Sequence, residues 1–290
     1  MGHEPEAGLI RPVKKGKELV AEIDAIDPAP GELAIWWLGQ SGFLLKSRLG
    51  TLLIDPYLSE HLTAKYAGTD RPHIRMTEAP LRGVDLRRID LILASHKHSD
   101  HLDPGTLPPL MAASPTSMLG LPAPLLDHAC SIGLPADRLI GLEAGQSWEL
   151  RGFRVRAIPS AHEALDTDDA GRNLYLGFVV EVEGLRLYHS GDCVPFDGLE
   201  GWLGPDPFDA LLLPINGRDS SRGVPGNFSA AEAVELSSRI RPRFVVPHHY
   251  DMFTFNTVPV ADFEAGSARL PTSTAARTLK PGGLWLLRRR

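Results

Sequence analysis

The stretch that most constrains this chain is the junction at residues 89–101. There the apolar run Ile89-Asp90-Leu91-Ile92-Leu93-Ala94 passes directly into Ser95-His96-Lys97-His98-Ser99-Asp100-His101. A near-continuous apolar run of this length suits a strand covered on both faces. The fold must therefore sheathe this strand in further layers and still leave its end open to a polar cluster. Packing three histidines and one aspartate into six positions crowds groups that would each need a buried partner, and a divalent cation satisfies them together. At this chain's own His and Asp frequencies, H-x-H-x-D-H arises by chance about once in a thousand such sequences.

The surrounding texture is rich in strands. Residues 33–39, 42–47 and 51–55 are short apolar runs separated by Gly and Ser, and read as consecutive antiparallel strands. After the 89–96 strand, the pattern predicts a helix over 104–113, a strand over 116–122 and a helix over 123–133 closed by Gly133. The second half repeats this texture. Hairpins are expected over 147–162, turning at Arg151-Gly152, and over 175–192, turning at Glu183-Gly184. A buried strand (209–215), a helix (229–240), a strand (243–249), a helix (261–270) and a strand (283–288) follow. Strand-rich runs thus recur twice, each followed by strand–helix alternation, the pattern of a two-sheet sandwich flanked by helices. No linker divides the chain, so one domain over 1–290 is expected, with residues 1–30 as a polar arm ending in Asp27-Pro28-Ala29-Pro30-Gly31.

Composition narrows the function. With 43% hydrophobic and 23% charged residues, the chain has the make-up of a soluble globular protein. A net charge of -6 argues against a nucleic-acid footprint, which needs a basic face. Two cysteines, Cys130 and Cys193, make no disulfide framework and suit a reducing compartment. The first twenty residues hold no apolar signal core, Met1-Gly2 is not continued as a lipidation site, and no run approaches a membrane span. A cytoplasmic protein acting on a small-molecule substrate, without nucleic-acid or membrane partners, is expected; oligomeric state is not legible.

Further ligand candidates sit near the ends of other expected strands: His162, Asp192, and the pair His248-His249. The order H-x-H-x-D-H, His, Gly-Asp, His resembles the metallo-β-lactamase superfamily, over Trp36 to at least Phe253. Trp36-Trp37-Leu38-Gly39, Phe43-Leu44-Leu45-Lys46-Ser47, Tyr188-His189-Ser190-Gly191-Asp192 and Pro214-Ile215-Asn216-Gly217-Arg218 are similar to the L-ascorbate-6-phosphate lactonase group. Pro247-His248-His249-Tyr250 resembles the terminal histidine motif shared with hydrolases of the N-acyl phosphatidylethanolamine phospholipase D type.

The resemblance implies an α+β fold, the four-layer αββα sandwich, and two divalent metal ions, with Zn, Mn and Fe all compatible with the donors. It implies that His96, His98 and His162 hold one metal, that Asp100, His101 and His249 hold the other, and that Asp192 bridges them. His249 is preferred to His248 because it precedes Tyr250 as the family histidine precedes an aromatic. Asp55 fits the family position that orients a ligating histidine. Lys97 replaces a frequent acidic residue and should face away from the metals, and Cys193 is expected to be a packed thiol.

The implied chemistry is hydrolysis by a hydroxide shared between two dications, with Asp100 orienting it and receiving its proton. Asn216, Arg218 and Arg222 are candidate contacts for an anionic group. A lactonase-like substrate is expected. Phosphodiesterase or phospholipase D-type hydrolysis, a mononuclear iron dioxygenase and a non-catalytic metal-binding protein are the alternatives.

Overall fold

Alternation along the first strand decides the layering. In β1 (Glu32–Gly39), Leu33, Ile35 and Trp37 join one buried cluster, while Ala34, Trp36 and Leu38 join another. Successive strand side chains point to opposite faces, so a strand apolar on both must be covered on both. The computed structural model, which describes residues 8–290, shows those covers. The 1–7 part of the expected N-terminal arm, including Met1-Gly2, lies outside the described residues.

One sheet contains β1, β2 (Gly42–Lys46), β3 (Thr51–Ile54), β4 (Leu91–Leu93), β5 (Met118–Pro122) and β6 (Leu139–Leu142). The other contains β7 (Ser147–Leu150), β8 (Phe153–Pro159), β9 (Leu176–Val182), β10 (Leu185–His189), β11 (Ala210–Pro214), β12 (Phe244–His248) and β13 (Ala275–Ala276). The last strand, β14 (Leu284–Arg288), returns to the first sheet and pairs antiparallel with β1. Each sheet is antiparallel in one half and parallel in the other: β3 to β6 run parallel, as do β10 to β13. The twofold recurrence of texture in the sequence is this repeated half-and-half topology.

Helices cover the outer faces. Helix α1 (Gly16–Ala25), a short α2 (His61–Lys65), α3 (Leu107–Ala113) and α4 (Leu126–Ser131) belong to the first half. Leu19 and Ile23 of α1, with Leu107, Leu110 and Met111 of α3, pack in the cluster that holds Trp36 and Leu44. A helix inside the 1–30 segment was not read from sequence. Its buried residues are Leu19 and Ile23, spaced i to i+4, with Val20 partly buried beside them, in a segment otherwise rich in charge. In the second half lie α5 (Leu199–Leu203), α6 (Ala230–Ile240) and α7 (Val260–Gly266). Helix α6 begins at a capping box, in which Ser229 accepts from Glu232 N–H and Glu232 accepts from Ser229 N–H. It buries Ala233, Val234 and Leu236. Between the sheets, Phe43, Leu45, Leu52 and Leu91 meet Phe153, Val155, Phe178 and Leu187 in the largest buried cluster. The layers are helix, sheet, sheet, helix.

Candidate metal centre

Parallel strands end at the same edge of a sheet, so whatever follows them is gathered there. His96 follows β4, His162 follows β8, Asp192 follows β10, and His249 follows β12. Backbone hydrogen bonds tie the two sheets together at this edge: Leu176 N–H donates to Ser95 O at 2.9 Å, and His249 N–H to Gln40 O at 3.0 Å.

Three overlapping groups result, in each of which one atom per residue lies within 4.8 Å of the others: His96, His98 and His162; His96, His101 and Asp192; Asp100, His101 and His249. Several imidazoles are aimed by a partner on the far side of the ring. His101 Nδ1 meets Asp55 Oδ2 at 2.7 Å, and His162 Nδ1 donates to Gly226 O at 3.0 Å. Both rings therefore present Nε2 lone pairs to the centre. Asp55 in turn accepts from Ser95 N–H and Ser95 Oγ–H, each at 2.7 Å. Ser95 Oγ also meets His96 Nδ1 at 3.0 Å. His249 Nε2 stands 3.2 Å from Asp192 Oδ2.

The fit of these groups to cations is tested by what they lack. His101 Nε2 and Asp192 Oδ1 are buried, lie 3.3 Å apart and make no hydrogen bond. His96 Nε2 faces His98 Nδ1 at 3.0 Å, two lone pairs that repel unless a proton or a cation lies between them. Unpaired buried polar atoms are costly, and here they converge. The donor set fits divalent metal.

The electrostatics separate the histidines into two kinds. Burial and the charges of His101 and His98 push His96 well below the usual histidine range. Burial likewise takes His98 down to about 4 and lowers His162. Burial also opposes charge on His101, but Asp192, Asp55 and Asp100 outweigh it and hold that ring well above the usual value. His249 is raised against its burial by Asp192. Burial would raise Asp192, yet His101 and His249 keep it well below the normal carboxylate range. Without metal, protonated imidazoles stand in for cations beside the carboxylates.

Of the two adjacent histidines, His249 joins the cluster. His248, the last residue of β12, turns into the core and stacks on His189 with ring centroids 4.8 Å apart. The chain leaves the strand at His249, whose φ of 60° lies in the left-handed region, and Tyr250 then packs on Trp37 at 4.8 Å. Cys193 is buried, and burial pushes its thiol up to about 11.

A cavity of about 340 Å³ opens onto the centre and reaches His98, Asp100, His162, Asp192 and His249. Its walls carry Lys65, Lys97, Tyr66, His73, Phe253 and Phe255. Lys97, expected to face away, therefore stands at the cavity's edge. Asn216, Arg218 and Arg222 are not among the lining residues. Arg218 pairs with Glu232, while Arg222 donates to Asn216 O at 2.6 Å and to Asn256 Oδ1 at 3.2 Å. Asn216 donates to Asn256 Oδ1 at 2.9 Å, and it is Asn256 that lines the cavity. This loop braces the wall from behind. Sequence reasoning missed the aromatic wall and Gln40. Tyr66 and His73 lie in a polar stretch with no periodicity to mark them, whereas Gln40 sits between two stretches that carry the family resemblance.

Comparison with known proteins gives the family. The family model described as "Beta-lactamase superfamily domain" matches residues 51–250. The chain belongs to the metallo-β-lactamase superfamily. It is 28% identical over 257 residues to a protein of Polynucleobacter asymbioticus named "UPF0173 metal-dependent hydrolase", covering 82% of this chain and 81% of that one. It is 26% identical over 275 residues to a "Probable L-ascorbate-6-phosphate lactonase" of Shigella boydii, covering 84% and 77%. Among solved structures, the metallo-β-lactamase fold protein YhfI of Bacillus subtilis superimposes with a TM-score of 0.63 at 14% identity, covering 88% of this chain and 99% of that one. Among the described residues, no helix is long and apolar enough to cross a membrane.

Proposed function

We propose that this chain is a metal-dependent hydrolase that opens a lactone or a similar small ester carrying an anionic group. The observation that carries the reading is the convergence of seven His and Asp side chains, with unpartnered buried atoms among them, at the end of a single cavity. In this reading His96, His98 and His162 hold one divalent cation, Asp100, His101 and His249 hold a second, and Asp192 lies between them. Bound there, the cations supply Lewis acidity and a nucleophile available near neutral pH.

The chain's residues supply the rest. Asp100 borders the cavity, which supports its role in this reading as acceptor of the attacking water's proton. The water oxygen bonds to the carbonyl carbon, the ring C–O bond breaks, and the departing alkoxide takes up a proton. Lys65 and Lys97 border the cavity without a salt bridge among the described residues; Lys65 Nζ lies over the Tyr66 ring, 5.3 Å from its centroid, and in this reading both ammonium groups meet a phosphate or carboxylate. Tyr66 and His73 stack at 4.1 Å, and His73 meets Phe255 edge-on at 4.6 Å, which gives the substrate's carbon skeleton an apolar wall. The lactonase name of one relative supports the same substrate class.

The test is turnover by the metal-loaded chain of phosphorylated sugar lactones against bis(p-nitrophenyl) phosphate. Lactone opening should dominate, and Lys65→Ala with Lys97→Ala should raise KM for the anionic lactone by roughly tenfold, the value of one charge-assisted contact. Diester cleavage without lactone opening would give the site to phosphodiester chemistry instead.

A further inference from the structure

The tight turn between β1 and β2 brings one more side chain to the centre. Gln40 is buried and its φ of 49° is left-handed. Its carbonyl is pinned from two sides, by Trp37 Nε1 at 2.9 Å and by His249 N–H at 3.0 Å. The side chain cannot drift from the cluster, because its own backbone is bonded to one of the cluster's residues. Gln40 Nε2 lies 2.7 Å from Asp100 Oδ2 and 3.1 Å from His249 Nε2, while Gln40 Oε1 is buried without a partner.

Those two distances are informative. Two donor atoms at right angles on one small cation, each about 2.1 Å from it, are about 3.0 Å apart. The end of the Gln40 amide stands at that spacing from both atoms, the position of a further donor around the same ion. With a cation bound, the lone pair of His249 Nε2 would be claimed by it, and an NH₂ group at the end of Gln40 would face positive charge. Half a turn about the terminal bond exchanges nitrogen and oxygen without changing the side chain's shape. The unpartnered Oε1 then occupies the inner position.

We infer that Gln40, through its amide oxygen, is a ligand of the divalent cation held by Asp100, His101 and His249. The inference rests on the two-cation reading above. A further oxygen donor suits an ion that accepts five or six ligands, such as Mn²⁺, better than tetrahedral Zn²⁺.

The experiment is stepwise Mn²⁺ binding to the metal-depleted full chain, read by the electron paramagnetic resonance of free Mn²⁺. Wild type is compared with Gln40→Ala, Gln40→Glu and, as a control for the other position, His98→Ala. Wild type should take up two equivalents. Gln40→Ala should weaken one step at least tenfold and leave the other intact, His98→Ala should weaken the other step, and Gln40→Glu should bind at least as tightly as wild type. Two steps in Gln40→Ala within twofold of wild type would overturn the inference while leaving the two-cation reading standing. Binding weaker in Gln40→Glu than in Gln40→Ala would also overturn it, because a side chain that merely donates to Asp100 is harmed most by a second carboxylate. A single equivalent in wild type would overturn both readings together. Should Gln40→Ala not fold, judged by circular dichroism, the near-isosteric Gln40→Glu decides: affinity below wild type sinks the inference.

Discussion

Individual side chains at this centre are held from behind as well as aimed from the front. Asp55 grips His101 Nδ1 and is itself gripped by Ser95 through both backbone and hydroxyl. Partners of this kind typically contribute 10–100-fold to metal affinity, so Asp55→Ala should lower affinity by about that factor in a chelator competition while the fold persists. His98→Ala and Asp192→Ala should lose metal and turnover together; a variant with full metal and full rate would remove that residue from the centre. The raised pKa values of His101 and His249 have a sign consequence. Raised pKa values mean that these rings release protons to an incoming cation, so affinity should climb as pH rises through and above the ordinary histidine value of about 6.5, with proton release detectable by calorimetry in two buffers. Flat affinity across that range would contradict the protonated stand-ins. The two thiols should separate cleanly: Cys130 is exposed, whereas Cys193 is buried with its thiol pushed up to about 11. One thiol should react with a disulfide reagent at pH 8 in the native chain, and two in denaturant.

Among the elements, the connections after the strands carry the strain and the strands carry the burial. Gly191, in the turn between β10 and Asp192, has a φ of 62°, and a Cβ there would lie 2.7 Å from Ser95 Cβ and 2.9 Å from Leu176 O. Gly191→Ala therefore faces both a left-handed backbone and a collision with the β4 connection. It should cost about 1–3 kcal/mol, read by urea unfolding, and it should displace Asp192 enough to weaken metal binding. Ser229→Ala provides the contrast. It removes the cap of α6, worth about 1 kcal/mol, yet α6 contributes no residue to the cavity, so metal content should not change. The helices α1 and α3 matter to function only through the sheet they cover: with Leu19, Leu107 and Leu110 buried against its outer face, β4 cannot shift, and its end stays where His96 is needed.

Taken as a whole, the molecule separates stability from chemistry. Its largest apolar cluster lies between the sheets, among residues such as Leu45, Phe153 and Leu187, whereas the centre sits at one edge where strands end. The chain should thus fold without metal and gain stability with it. At free metal about 100 times the dissociation constant, one bound cation adds about 2.7 kcal/mol. For a chain of this size that is roughly 4–5 °C in Tm. Chelation should lower the melting temperature by about that much per cation and leave a cooperative transition; loss of the transition would mean that the cations organise the core as well.

Strand-length apolar runs, their twofold recurrence and the run of histidines after β4 are local patterns, and so the layered fold and residues 96–101 were legible in the chain itself. His162, Asp192 and His249 were legible as ligand candidates because strand ends are readable and the family order supplied the rest. What only the tertiary structure decided are relations between segments distant in sequence. The family order already favoured His249 over His248; what it could not show is how His249 is turned to the centre, by a left-handed backbone and a hydrogen bond to Gln40 O that no pattern within β12 encodes. Arg218 and Arg222 brace the cavity wall because Glu232 and Asn216 reach them first, and the wall itself is assembled from loops more than 150 residues apart, at Tyr66 and Phe255. Periodicity reports which face of an element is buried; it carries no information on which distant side chain arrives there, because that is set by how the layers pack.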